Sequence, residues 1–178
     1  MSMLRVPVTE HDHIRGGVNA RATLVEYGDY QCPHCAAAHP VVSQLLAGFG
    51  PRLRLVYRHF PLTQVHPHAE TAAETAEFAA ANGEFWQMHD MLFENQHRLG
   101  LPLLVVLTRS LQLPVQKLEE ALLSRTYAPK VQSDFLGGVR SGVNGTPAFF
   151  IGDQRYDGLH DYASLAMAIN ARFFADHA

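Results

Sequence analysis

One pair of cysteines, Cys32 and Cys35, constrains this chain more than any other feature of its sequence. Two cysteines placed at random in 178 residues lie three positions apart about once in a hundred cases. A disulfide that spans only two residues closes a very short loop and adds little stability. The spacing therefore predicts a reactive Cys-x-x-Cys pair, and the alternative is a pair of buried structural thiols.

The residues around the pair predict a strand, a helix and a second strand. Residues 23–27 form a β-branched and aromatic run, which is typical of a strand. Apolar residues then recur at helical spacing over 36–47 and end at Gly48, and Pro33 suits the first turn. Residues 53–58 alternate as a second strand does. This order is typical of a βαβ unit with two parallel strands.

The rest of the chain predicts a helical stretch from about residue 68 to 141, after which strands return. Helices are predicted over residues 70–81, 84–93, 101–111, 114–123 and 129–139. A strand over 148–151, a hairpin over 153–158 and a helix over 162–174 complete the pattern. No internal repeat or flexible linker divides the chain. We therefore predict one α/β domain interrupted by a helical insert.

Composition and charge exclude several kinds of partner. Hydrophobic residues make up 47% of the chain, which is enough to form a core without disulfide or metal staples. The net charge is only −3, so neither nucleic acid nor a membrane surface is an expected partner. Apolar runs such as 101–107 are too short to span a bilayer. The first residues lack a basic segment followed by an apolar one, so we predict a cytoplasmic protein, with a trimmed periplasmic form as the alternative.

Four sequence blocks resemble the DsbA-like branch of the thioredoxin superfamily. They are residues 25–35, 58–62, 85–90 and 142–150. The most specific matches are the Cys-Pro-His-Cys tetrapeptide and the later Thr-Pro pair, and the resemblance extends over most of the chain. It implies a thioredoxin-like α/β fold, in which helices flank a mixed central sheet, with an inserted helical subdomain. The predicted boundaries are 1–65 and 129–178 for the thioredoxin-like domain and 66–128 for the insert.

The chemistry of disulfide exchange assigns a role to each cysteine. A thiolate attacks a disulfide, and a second thiol then resolves the mixed disulfide. Cys32 precedes the predicted helix, where free N–H groups and the helix dipole favour a negative sulfur, so it is the expected nucleophile. Cys35 lies one turn inside and is the expected resolving thiol. Between them, Pro33 and His34 are expected to tune the reaction.

His34 has a more specific predicted role than Pro33, namely activation of the Cys32 thiol. Its ring can give a hydrogen bond or a positive charge to the Cys32 sulfur, which would lower the pKa of that thiol. The alternative is that His34 only occupies the first turn of the helix.

Glu26 is a candidate proton relay on the strand that leads to the pair. Strand alternation would turn its side chain inward, where burial raises the pKa of a carboxyl group. Such a group can pass a proton to and from Cys35, and the resemblance places the family's buried acid at this position. The alternative is a strand-end glutamate in water. Asp29 is a weaker candidate because it lies closer to the loop.

Thr146 and Pro147 are the candidate substrate-binding residues. By resemblance, Pro147 follows a cis peptide bond and packs against the cysteine pair. The backbone of Thr146 would then bind an extended substrate by strand addition. Thr146 replaces the valine of the strongest oxidases of this group. An ordinary trans proline in a loop is the alternative.

Eleven histidines raise the question of a metal site. Candidate ligands are His11 and His13, His66 and His68, and His34 and His39 together with the cysteines. However, there is no second Cys-x-x-Cys pair at ligand spacing, and His-x-His pairs are usually solvated surface groups. We therefore expect no metal and no cofactor.

These features together predict a protein-disulfide oxidoreductase. Its predicted partners are cysteine-containing proteins or peptides and a redox partner that recycles the pair, and a monomer is expected. One alternative is a glutathione-linked transferase or isomerase of the kappa type, whose chemistry does not need a resolving thiol. The other is a non-catalytic module that binds a metal or a partner.

Overall fold

The computed structural model describes residues 2–175, and within them five strands form one mixed sheet in the order β1-β3-β2-β4-β5. The strands are β1 (His13–Gly16), β2 (Ala22–Gly28), β3 (Leu53–His59), β4 (Ala148–Ile151) and β5 (Gln154–Tyr156). The α-helices of the described residues are α1 (Pro33–Phe49), α2 (Ala69–Ala80), α3 (Phe85–Glu94), α4 (Leu101–Ser110), α5 (Val115–Leu123), α6 (Ala128–Arg140) and α7 (Tyr162–Phe173).

Strand β2 lies at the centre of the sheet and leads to the cysteine pair. It runs parallel to β3 and antiparallel to β4, and α1 connects the two parallel strands, which confirms the predicted βαβ unit. Side chains of α1 and α7 cover one face of the sheet, while α6 and the N-terminal segment cover the other. Leu24 and Val25 project to opposite faces, and both are 0% exposed. A strand buried on both faces reads as a continuous apolar run.

Helices α2 to α6 lie between β3 and β4, as the sequence predicts. Each of the five begins and ends within one residue of its predicted bounds, which is the usual uncertainty of helix ends. The thioredoxin-like α/β fold is thus confirmed. The division of the chain at residues 66 and 128 stays a prediction, and residues 176–178 of the predicted domain lie outside the described residues.

Strand β1 is missing from the sequence prediction. It has four residues and pairs antiparallel with β3, so that His13 lies opposite Tyr57. The sequence His-Ile-Arg-Gly has no alternating apolar pattern, because the strand lies at the sheet edge and none of its residues is fully buried. The pairing brings His13 from an apparent surface motif to a position beside α2.

The core beside the active site lies between the sheet and helices α2 to α4. Phe85 and Met88, in the helix predicted over residues 84–93, are 5% and 0% exposed. Trp86 is partly buried, and its indole Nε1 donates a hydrogen bond of 3.2 Å to the carbonyl oxygen of Ile14. Among residues 2–175, no helix has the length and apolar character needed to cross a membrane.

Candidate active site

The cysteine pair lies at the N-terminus of α1, directly after β2 and a short loop. Cys32 is the N-cap residue with an extended backbone, and Pro33 occupies the first helical turn, where a missing N–H costs nothing. Both cysteines are free thiols, and their side chains lie 3.9 Å apart. Cys32 is 4% exposed and Cys35 is 0% exposed. The N-terminal cysteine is therefore the one that solvent reaches.

The thiol of Cys32 is strongly activated. A hydrogen bond from the Cys35 thiol is the largest cause, and it outweighs the opposing effect of burial. The Thr146 side chain and the backbone N–H groups at the start of α1 add further hydrogen bonds. Together they lower the pKa of Cys32 to about 5. Cys32 is thus a thiolate at neutral pH.

His34 contributes differently from the predicted ring-to-sulfur contact. Its backbone N–H is among the groups that lower the pKa of Cys32. The side chain is exposed, because position 34 faces outward in the first turn of α1, and no hydrogen bond among residues 2–175 joins the ring to the sulfur. The geometry therefore favours the alternative, in which the ring only occupies the first turn.

Cys35 has the opposite character. Burial raises the pKa of its thiol, and the neighbouring Cys32 and Glu26 raise it further. The backbone N–H of Asp29 lies 3.5 Å from the Cys35 sulfur. Cys35 consequently keeps its proton until it reacts, and a reaction at this sulfur requires a nearby proton acceptor.

Glu26 provides a buried carboxyl group close to Cys35. It is 2% exposed on the central strand, and burial raises the pKa of this carboxyl to about 8. Its Oε1 atom has no hydrogen-bond partner among the described residues. A carboxyl group with a pKa near neutrality can both hold and release a proton.

The sequence indicates Asp29 only as a weaker candidate for the proton relay. In the structure, its carboxylate binds groups from two loops. Its Oδ1 accepts a hydrogen bond of 2.7 Å from the N–H of Gln31. Its Oδ2 accepts one of 2.9 Å from the N–H of Leu62 and one of 2.7 Å from His66 Nδ1. Asp29 therefore ties the active-site loop to the loop that follows β3. The Asp-x-Gln spacing is the only local signal for this role, since aspartate often bonds the backbone two residues on.

Gln96 fixes the active-site loop from the helical insert. Its Nε2 donates hydrogen bonds of 2.8 Å to the carbonyl oxygens of both Tyr30 and Cys32. The residue lies in a short 3₁₀ turn between α3 and α4. Nothing in the local sequence indicates this contact, because it joins residues 64 positions apart.

The Thr146–Pro147 loop faces the nucleophilic sulfur. The peptide bond between the two residues is cis, and β4 begins directly after it. The Sγ atom of Cys32 lies 3.3 Å from the carbonyl oxygen of Thr146. The Thr146 hydroxyl is buried and has no hydrogen-bond partner among the described residues. It is therefore free to donate to a thiolate at Cys32.

An apolar groove adjoins this loop on the side of α6. It is lined by Phe60, Pro61, Leu62, Thr63, Gln64, Val65, Phe135, Val139, Val143 and Asn144. Val65 and Val139 are 68% and 49% exposed, so part of the apolar lining faces solvent. Two of its lining residues are linked to the active-site loops: Asn144 lies two residues before Thr146, and the N–H of Leu62 donates a hydrogen bond to Asp29.

Among the described residues, two groups of side chains hold their ligand atoms close enough together to bind a metal ion, and neither group contains a cysteine. One brings together His13, His59 and Glu77, and the other His39, His89 and Asp90. His13 and His39 are the sequence-predicted candidates that belong to these groups. Of the other predicted candidates, His66 instead binds Asp29. The cysteine pair is therefore not part of a metal cluster within the described residues.

Comparisons with known proteins agree with this geometry. A family model described as thioredoxin matches residues 8–171, and the chain belongs to this family. An Na⁺/H⁺ antiporter NhaA of Salinispora arenicola is 42% identical over 171 residues, which cover 96% of this chain and 26% of that protein. The chain thus spans about a quarter of the length of the curated relatives it matches.

Several solved structures share the fold of this chain. BdbD of Bacillus subtilis has a TM-score of 0.83 at 21% identity and covers 97% of this chain and 98% of its own. A thioredoxin-like oxidoreductase of Silicibacter pomeroyi has a TM-score of 0.76 at 25% identity, covering 92% and 93%. Wolbachia pipientis α-DsbA1 has a TM-score of 0.79 at 17% identity, covering 94% of each chain. These likenesses show that the chain has the thioredoxin-like fold that its sequence predicts, in agreement with the family model.

Proposed function

We propose that this protein exchanges disulfides with cysteine-containing proteins or peptides through Cys32 and Cys35. The observation that carries the proposal is the contrast between the two thiols. Cys32 is 4% exposed and has a pKa of about 5, whereas Cys35, 3.9 Å away, is 0% exposed and has a raised pKa. A pair with this asymmetry has one attacking sulfur and one resolving sulfur.

The proposed oxidation of a substrate proceeds in two exchanges. A substrate thiolate attacks the Cys32 sulfur of the Cys32–Cys35 disulfide, that disulfide breaks, and Cys35 leaves and takes a proton from Glu26. A second substrate thiolate then attacks the substrate sulfur of the mixed disulfide. The substrate disulfide forms and Cys32 leaves as a thiolate, which its low pKa favours. Reduction of a substrate follows the same steps in reverse.

The substrate segment is proposed to lie beside the Thr146–Pro147 loop. The carbonyl oxygen of Thr146 lies 3.3 Å from the reacting sulfur, so an extended peptide paired with this backbone would bring its cysteine to Cys32. Apolar side chains of the same peptide can occupy the groove beside α6. This arrangement favours unfolded or extended proteins as substrates.

The curated relatives favour a second candidate function, in which the chain acts as a redox module beside a sodium/proton antiporter. The supporting observation is the 42% identity to a segment that forms 26% of a protein named as such an antiporter. In that case the cysteines of the antiporter would be the substrate, and the exchange chemistry at Cys32 would be the same.

A turnover assay tests the proposed function. A reduced peptide with two cysteines, incubated with oxidised glutathione, should form its disulfide faster when the protein is present at a tenth of the peptide concentration. Several turnovers per protein molecule are expected, because glutathione restores the Cys32–Cys35 disulfide. A rate equal to that without protein would favour a non-catalytic module. Turnover that persists in a Cys35→Ser variant would favour the glutathione-linked alternative.

Titration of Cys32 tests the source of its activation. At pH 6, Cys32 should react with iodoacetamide about ten- to twentyfold faster than an ordinary thiol, since its larger thiolate fraction outweighs its lower nucleophilicity.

Thr146→Val, which removes the donating hydroxyl but keeps the shape, should raise the pKa of Cys32 by about one unit. His34→Ala keeps the backbone N–H and should change it by less than about half a unit. A larger effect of His34→Ala than of Thr146→Val would restore the ring contact predicted from sequence.

A further inference from the structure

Three side chains from distant parts of the chain converge on one point, away from the cysteine pair. The Nε2 atoms of His13 and His59 lie 2.6 and 2.7 Å from the same oxygen, Oε1 of Glu77. The three atoms all lie within 4.8 Å of one another. They come from β1, the end of β3 and the middle of α2, so the fold alone brings them together.

The cluster is largely buried. The side chains of His13, His59 and Glu77 are 15%, 1% and 8% exposed. Within residues 2–175, no lysine or arginine forms an ion pair with Glu77. Within the described part of the chain, the hydrogen-bond partners of this carboxyl group are therefore the two imidazoles.

The second histidine cluster differs in this respect. Asp90 is held by Arg15 through hydrogen bonds of 2.9 and 2.7 Å, so a fixed cation already neutralises it. His89 is occupied as well, because its Nδ1 lies 3.0 Å from the hydroxyl of Tyr30. A metal ion there would be repelled by Arg15 and would have to displace these contacts.

We propose that His13, His59 and Glu77 bind one divalent transition-metal ion of the zinc class. Two imidazole nitrogens and one carboxylate oxygen are a common ligand set for Zn²⁺, whereas Ca²⁺ and Mg²⁺ prefer ligand sets made of oxygen alone. Ligand atoms about 2.0–2.1 Å from a tetrahedral zinc lie about 3.3 Å apart. Each histidine nitrogen would therefore move about 0.6 Å away from Oε1 to admit the ion. The fourth position, on the partly exposed side of His13, is left for water.

The ion would link three segments of the fold. It would hold the edge strand β1 and helix α2 against the end of β3, and it would bind only when all three are in place. Such an ion stabilises the folded protein by mass action. At a free zinc concentration about 100-fold above the dissociation constant, the Tm should rise by about 5–10 °C.

Zinc titration of the untagged 178-residue chain in its oxidised form tests the proposal. Oxidation to the disulfide removes both cysteine sulfurs as competing ligands. Calorimetry should show one Zn²⁺ per chain, and Co²⁺ in the same site should give the visible absorption of a tetrahedral complex. The absence of binding by the oxidised wild type would overturn the proposal.

Substitutions locate the ion. Glu77→Gln, which keeps the size of the side chain, and His13→Ala, at the most exposed ligand, should each weaken zinc binding at least about tenfold. His39→Ala, in the cluster that Arg15 already neutralises, is the matched control and should bind zinc as the wild type does. Thermal unfolding without metal establishes that each variant is folded. Binding that survives in both Glu77→Gln and His13→Ala, or that is lost in His39→Ala, would overturn the assignment.

Discussion

Replacement of Cys32 by serine should reduce disulfide exchange to the uncatalysed rate. The serine hydroxyl is nearly isosteric with the thiol, but it can form no disulfide, and the remaining Cys35 is 0% exposed with a raised pKa. The loss should therefore be complete, with little change in thermal stability. The rate of disulfide formation in a cysteine-containing peptide measures the effect.

A cysteine outside the reaction would be the natural control, but this chain has only Cys32 and Cys35. Ser43→Ala, on the exposed side of α1, serves instead and should leave the rate unchanged. Exchange that persists in Cys32→Ser but disappears in Cys35→Ser would reverse the roles of the two cysteines.

Replacement of Glu26 by glutamine should remove much of the pH dependence of stability. Burial raises the pKa of this carboxyl from its ordinary 4.5 to about 8 in the folded protein. The unfolded chain therefore ionises first, so the folded state is favoured below pH 4.5 and loses stability as the pH rises toward 8. Between pH 5.5 and 8.5 this loss is about 3 kcal/mol.

Urea unfolding of the oxidised protein at these two pH values measures the difference. The oxidised form is required because Cys32, whose folded pKa is depressed, gains stability with rising pH and would mask the effect. Glu119→Gln, at an exposed position of α5, is the matched control and should unfold as the wild type does. An unchanged pH dependence in Glu26→Gln would contradict a buried carboxyl with a raised pKa.

Glu26→Gln also separates the relay from the structural role of the residue. If Glu26 exchanges a proton with Cys35, the variant should slow the step in which Cys35 leaves or attacks, and the rate should lose its inflection near pH 8. A purely structural glutamate would change stability but leave the pH profile of the rate unaltered.

The parts of the site that the sequence predicts are those that are local in the chain. Cys32, Pro33 and Cys35 occupy a single helical turn after a strand, so their spacing fixes their relative positions before any tertiary contact is known. Thr146 and Pro147 are also adjacent, and their place beside Cys32 follows from the family resemblance. Glu26 is buried because both faces of β2 are covered, which its apolar neighbours indicate.

The parts that sequence reasoning misses depend on contacts between distant segments. Gln96 reaches the carbonyl of Cys32 across 64 positions, and Asp29 reaches the N–H of Leu62 across 33. Both contacts depend on the path of a loop, which hydrophobic periodicity does not determine. His13 meets Glu77 only because β1 pairs with the edge of β3, and that strand has no apolar alternation to reveal it.

Capture of a mixed disulfide tests most directly the claim that Cys32 is the exchanging sulfur. The Cys35→Ser protein, incubated with a peptide that contains a disulfide, should accumulate one covalent adduct, since the resolving thiol is missing. Mass spectrometry of the digested adduct should place the peptide on Cys32, and a reductant should release it. No adduct with Cys35→Ser, together with an adduct on Cys35 in the Cys32→Ser protein, would contradict the account.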